Sequence, residues 1–373
     1  MKKRTRRENG KLKRTLAVML MTLLTLGLLS GCGSSSSDSA DESASADSSD
    51  TAEASEDTTD AAVPDKVTIG VQTLITPELI ARYEEIYEEY LGTEVELVQF
   101  DSGADVNEAF AGGSIDIGSF GSAPAAISLA RELGTEVFWY HDVIGTAESL
   151  AVREDSGITS IEDLVGKTVA TPFASTSHYS LLNALSLAGV DASEVDLVDM
   201  QPDDIYAAWT RGDIDAAYVW NPVLGYLLAD GGITITDSEI LAEEGIVTAD
   251  VCAVRVEFAE QYPDIVTAYV KAQLYALDVY YNDIETAVEE IAGAADIEVE
   301  EAADQVEDFY YPTGEDQITA DYLGTSDEVG ALAETLKATA DFLVEQGSLD
   351  SSPDLEVFEA GVTGEFVEAA LAE

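Results

Sequence analysis

From residue 66 onward, short runs rich in Val, Ile, Thr and aromatic residues alternate with stretches whose apolar positions recur every three or four residues. The runs at 67–73, 94–100, 115–121, 137–144, 149–153, 168–171, 195–200, 216–220 and 233–236 predict strands. Between them, 77–90, 106–111, 123–133, 178–188 and 205–210 predict helices. Such alternation points to an α/β architecture with largely parallel sheets. Beyond Glu257 the pattern turns helical, at 259–262, 265–281, 284–292, 299–309 and 328–345.

One internal repeat stands out. Residues 110–124, F-A-G-G-S-I-D-I-G-S-F-G-S-A-P, align at an offset of 99 with 209–222, W-T-R-G-D-I-D-A-A-Y-V-W-N-P. Each is the end of a helix, a Gly turn and an Ile-Asp pair opening a strand. If the two are equivalent, Gly121-Ser122 and Trp220-Asn221 occupy matching carboxyl ends of strands in two similar lobes, where open α/β sheets bind ligands.

The amino terminus has a different character. Eight Lys and Arg residues up to Arg14 precede an apolar run from Leu16 to Leu29 that is shorter than the roughly 20 residues a membrane span needs. The run closes on Leu29-Ser30-Gly31-Cys32, which resembles a bacterial lipobox. Residues 1–31 are expected to be a leader, and Cys32 the lipidated first residue of the mature chain. Residues 33–64 carry no aromatic side chain and are dominated by Ser, Asp, Ala, Glu and Thr, so 32–64 reads as a lipidated, disordered acidic tether. As a flexible coil it would span about 30 Å.

Charge narrows the partners. The chain carries −57, and removing residues 1–31 leaves 9 basic against 73 acidic side chains. Such a body repels nucleic acid and anionic lipid heads, and any anionic ligand must be held by local donors. With Cys32 lipidated, Cys252 has no disulfide partner. No cofactor is implied, and nothing indicates more than a monomer.

The stretch 171–182, T-P-F-A-S-T-S-H-Y-S-L-L, carries the most chemistry. Pro172 disfavours helical geometry in Thr171, and Gly189 stops the helix that follows. Ser175, Thr176 and Ser177 therefore stand where a helix begins. Capping explains one hydroxyl; three make an anion site of backbone N–H groups and hydroxyl donors. His178, in the first turn, is expected to be neutral through the helix dipole and able to donate one hydrogen bond. Packing in the core would explain it equally. The other histidine, His141, lies in a different strand, so metal ligation is not indicated.

The segments F-D-S-G-A (100–104), G-S-A-P (121–124), A-E-S-L-A-V (147–152), I-E-D-L-V-G-K-T-V-A-T-P-F-A-S-T-S-H-Y-S-L-L (161–182) and A-A-W-T-R-G-D-I-D-A-A-Y-V-W-N-P (207–222) resemble the nitrate, sulfonate and taurine group of ABC-importer solute-binding proteins, and within it the taurine branch. The resemblance implies a two-lobed periplasmic-binding-protein-like fold that closes about a hinge, with strand crossovers near 151–153 and 251–255. One lobe would comprise 65–152 and 253–373, the other 153–252. It implies taurine or a related sulfonate as ligand and an ABC permease, with its ATPase, as partner. Ser122, Thr176, Ser177 and His178, with the Gln72 amide, would hold the sulfonate. Glu148 and Asp250, with the face of Trp220, would hold the ammonium. Two departures bear on the pocket: Ala123 replaces a serine and Cys252 an aromatic residue of the family pattern. A synthase on the same fold, resembling the pyrimidine synthases of thiamine biosynthesis, would need a Cys/His-rich iron segment that two cysteines do not supply. A structural lipoprotein would have no ligand cleft.

Overall fold

The structure, a computed structural model, describes residues 63–372. The expectations for the leader, for Cys32 and for nearly all of the tether fall outside those residues. Among the described residues eleven strands form two sheets: β1 (Lys66–Val71), β2 (Glu94–Gln99), β3 (Ile117–Gly121), β4 (Thr135–Ile144), β5 (Glu148–Arg153), β6 (Thr168–Thr171), β7 (Asp196–Asp199), β8 (Ala216–Trp220), β9 (Gly232–Asp237), β10 (Ala249–Arg255) and β11 (Phe309–Tyr310). The first sheet has the order β11-β4-β10-β3-β1-β2 and the second β7-β6-β8-β5-β9. Helices pack on both, so the molecule is a two-lobed α/β protein.

The internal repeat is a repeat of topology. β3 lies between parallel β1 and antiparallel β10, and β8 lies between parallel β6 and antiparallel β5. The shared Ile-Asp pair has one job in both lobes. Asp116 Oδ2 accepts from the Thr68 amide at 2.8 Å, and Asp215 Oδ2 accepts from the Thr168 amide at 3.0 Å. Each carboxylate ties the start of its strand to the neighbouring parallel strand, where side-chain acceptors satisfy backbone donors the ladder leaves over.

The chain crosses between lobes at 145–147 and again over 238–248, since β5 lies wholly in the second sheet and β10 wholly in the first. Both segments are near the expected crossover regions of 151–153 and 251–255. β10 is an almost entirely buried strand, which a run beginning T-A-D does not announce. Two expected helices also differ. The 77–90 helix breaks into Glu78–Tyr83 and Tyr87–Leu91 because Glu85 adopts φ 55°. The 299–309 helix stops at Val306, and Phe309 and Tyr310 pair with Ile144 and Val143.

The carboxyl-terminal helices close over the first lobe. Gln317 bonds both backbone groups of Tyr140, at 2.9 Å each, and Val137 exchanges backbone bonds with Gly361 and Thr363. The middle of β4 is held firmly as a result.

Across the cleft the lobes meet closely. Gln201 Nε2 reaches Ser102 Oγ and Asp105 Oδ2 at 3.3 Å, and Tyr179 packs edge-on against Phe342. At the closest point a Cβ on Gly121 would lie 2.6 Å from Thr176 Cγ2. Gly121 itself has φ −67°, which any residue adopts, so its glycine serves the approach of the other lobe. Gly121→Ala is expected to hold the lobes apart, read as a larger radius of gyration in small-angle scattering. Adding Thr176→Ser, which removes Cγ2, should restore the compact form. An unchanged radius in Gly121→Ala would refute this contact as the limit on closure.

Candidate functional site

The helix Thr176–Leu187 begins as its sequence indicates. Ser175 is the N-cap, its Oγ accepting from the His178 amide at 3.1 Å, and the first intrahelical bond runs from the Tyr179 amide to the Ser175 carbonyl. The amides of Thr176 and Ser177 precede that ladder and remain available as donors. This helix start faces the end of β3 across the cleft, and the space between is lined by Gln72, Gly121, Glu148, Thr176, Trp220, Asp250 and Phe309, among others. No Lys, Arg or His stands among the described residues lining it. The cavity between the two walls is only about 20 Å³, so the cleft is narrow.

Five of the eight residues singled out from the sequence meet in this cleft: Gln72, Glu148, Thr176, Trp220 and Asp250. Gln72 follows β1, and its carbonyl accepts from Arg82 Nη2 at 2.9 Å, which anchors the strand end. Trp220 ends β8 and Asp250 lies in β10. The remaining three are not among the lining residues. Ser122 Oγ accepts from the Ala249 amide at 3.2 Å and so ties β10 to the helix after β3. Ser177 is fully buried. His178 stacks on Phe173 at 4.4 Å, and its Nδ1 faces the Ala174 amide at 3.4 Å. Burial, opposed by the charge of Asp199, brings its imidazole down to about 4, so the ring is neutral for that reason. His178 supports the helix start and does not line the cleft.

The two hydroxyls expected to face an anion are committed elsewhere. Thr176 Oγ1 and Ser177 Oγ both donate to Glu148 Oε1 at 2.6 Å, and Ser238 Oγ donates to Oε2 at 3.1 Å. Glu148, the first residue of β5 and 1% exposed, thus sits on the helix start, beside the donors from which the sequence reading had separated it. Burial raises its pKa, and the hydroxyls of Ser177, Thr176 and Ser238 pull it back.

Asp250 has no such set of hydroxyls. Burial, then the charge of Glu148, push its carboxyl up to about 7, against a lowering contact from Asp142. Asp142, in β4 directly opposite Asp250, was not singled out from the sequence. Its only signal there is a carboxylate inside the apolar run V-F-W-Y-H-D-V-I. Neither departure from the family pattern reaches the cleft lining. Ala123 is fully buried, and Cys252 packs against Ser119 and Tyr269 in the first lobe.

A cleft walled by carboxylates, with an aromatic face and a helix start but no basic side chain, suits a small ligand carrying both a positive and a negative group. Comparison with known proteins places the chain in a family. Residues 65–305 match the family described as the substrate-binding domain of ABC-type glycine betaine transport systems. The chain is 36% identical over 290 residues to the taurine-binding periplasmic protein of Escherichia coli (strain K12), covering 76% of this chain and 87% of the relative. The alkanesulfonate-binding protein SsuA of Xanthomonas axonopodis pv. citri, bound to MOPS, shares the fold with a TM-score of 0.67 at 21% identity, over 79% of this chain and 96% of that one. The periplasmic aliphatic sulphonate binding protein SsuA of Escherichia coli does so at 0.63 and 22%, over 79% and 91%. By the family match and the identity to a relative covered over most of its length, this chain belongs to the substrate-binding proteins of ABC-type transport systems.

Proposed function

We propose that this protein captures taurine, or a close amino-sulfonate, by closing its lobes, and delivers it to an ABC permease from a lipid anchor on Cys32. The observation that carries the reading is the pairing of buried Glu148 and Asp250 in a cleft with no basic side chain. A simple anion would meet like charge there, whereas an ammonium offsets it. Asp250 and Glu148 hold the ammonium, with the face of Trp220 beside it. The sulfonate lies at the Thr176 amide where the helix starts, with the Gln72 amide as a further donor. Ser177 acts through Glu148, while Ser122 and His178 brace the two walls. The taurine-binding relative supports the choice of ligand. The protein works as a receptor, with no reaction assigned to the cleft.

Calorimetry with taurine, isethionate, ethanesulfonate, β-alanine and nitrate tests the reading. Taurine should bind about 10–100-fold tighter than isethionate, which keeps the sulfonate and lacks the charge-assisted contact of the amine. Equal affinities would sink it.

The cation must meet an ionised Asp250, whose carboxyl titrates at about 7. Taurine affinity should therefore fall by about tenfold per pH unit below that point, while ethanesulfonate affinity should not fall. A flat taurine profile between pH 5 and 8 would remove Asp250 from the ammonium site.

In the unliganded protein the sign reverses. A carboxyl with a raised folded-state pKa binds its proton more tightly when folded, so its contribution to stability is lost as pH rises through about 7. Asp250→Asn should raise the melting temperature by several degrees more at pH 8 than at pH 5. Equal shifts at the two values would contradict the burial argument.

A further inference from the structure

Asp142 is a fully buried carboxylate whose two side-chain oxygens have no hydrogen-bond partner. The β4–β10 ladder shifts register between Asp250 and Val251, so Asp142 pairs with Asp250, Tyr140 pairs with Val251, and His141 is the extra residue. Bulges of this kind re-aim side chains beside functional sites. The bulge sends His141 into the core, where Nε2 meets Ser119 Oγ at 3.0 Å, and leaves two carboxylates facing each other across the strands. Asp142 is 0% exposed, and no hydrogen-bond donor meets either of its side-chain oxygens. The Asp250 amide offers slight relief without the geometry of a bond. The charges of Asp250 and then Glu148 raise it further, and the nearby phenols of Tyr140 and Tyr311 bring no positive charge. The strand cannot turn the side chain outward. Gln317 clamps Tyr140, and β11 pairs with Val143 and Ile144.

A fully buried ionised carboxylate with no hydrogen-bond donor in the protein and like charge beside it is the arrangement that buried charges avoid. A neutral carboxylic acid in the same place has an O–H to give, and the acceptor beside it is Asp250. Burial, then the charge of Asp250, hold the Asp142 carboxyl well above the usual carboxylate range. Of the two, Asp250 lines the cleft and Asp142 does not, so the ligand's cation reaches Asp250.

We propose that Asp142 is a positioning residue of the cation subsite: it stays protonated at neutral pH, donates its O–H to Asp250, and so keeps Asp250 ionised and aimed at the ligand. The inference rests on the ammonium reading of the cleft. The pair then carries one negative charge, and the contact from Asp142 is the one influence that lowers the Asp250 carboxyl against burial and Glu148. A carboxylic acid held neutral so that it can donate is a known device of buried sites.

Infrared spectroscopy of the unliganded protein at pH 8 tests the protonation without any ligand. The wild type should show the carbonyl stretch of a protonated carboxyl, and Asp142→Asn should lack it. A wild type without that band overturns the proposal. Taurine titrations test the role. Asp142→Asn, whose amide can still donate, should bind within about threefold of wild type with the same pH midpoint. Asp142→Ala, which cannot donate, should move the midpoint of the pH profile up by about one unit and weaken binding about fivefold at pH 7. An unmoved midpoint in Asp142→Ala overturns the positioning role even if affinity falls, since a merely structural loss would not shift a titration. If wild type shows the band yet binds no taurine, protonated Asp142 stands and the taurine reading fails.

Discussion

Negative charge buried without a basic side chain is the constraint that organises this molecule's cleft. Three carboxylates converge where β4, β5 and β10 meet, and each is accommodated differently. Glu148 takes three hydroxyl donors from two helices. Asp250 faces the cleft and titrates at about 7. Asp142 is fully buried, and no protein donor meets its side-chain oxygens. Desolvation makes any such arrangement costly, and a positive group entering the cleft removes the cost. The emptiness of the cleft with respect to basic residues is thus as informative as its acids. A chain with 73 acidic side chains after residue 31 has no shortage of carboxylates, but few are both buried and convergent.

The two-sheet repeat is what brings them together. Antiparallel β5 and β10 hold equivalent places, each beside the strand that carries the Ile-Asp pair, and each is entered just after a crossing between lobes. Glu148 opens one and Asp250 lies near the start of the other. A residue just past a crossover is at the mouth of the cleft by construction, as are the carboxyl ends of β3 and β8. The same geometry explains why Gly121 is compressed against Thr176 while its counterpart, Trp220, is large. Both line the cleft, but Gly121 lies directly against the opposing helix start, where a Cβ would meet Thr176 Cγ2.

How much of this is readable from residues alone varies with the range of the interaction. The helix start at Ser175 is local: a capping serine, a preceding proline and a terminal glycine suffice, and the cap forms as expected. The target of the following hydroxyls is not local, because Glu148 lies 28 residues from Thr176 and reaches it only after β5 has joined the second sheet. His178 is neutral as expected, yet through burial under Phe173 and its surroundings, which no single helix can show. The crossovers can be placed only approximately from the residues because sheet membership depends on partners, while a strand's own pattern shows only that it is a strand.

By itself the sequence determined the alternation of strands and helices, the doubled Ile-Asp unit, the helix start with its surplus hydroxyls, and the family, since periodicity, capping and motif are properties of neighbouring residues. Only the tertiary structure decided that Thr176 and Ser177 would serve Glu148, that His178 would stand behind the wall, and that Asp142 would face Asp250. Those outcomes depend on which strands pair and in which register, and a single bulge at His141 in β4 is enough to set two carboxylates opposite each other.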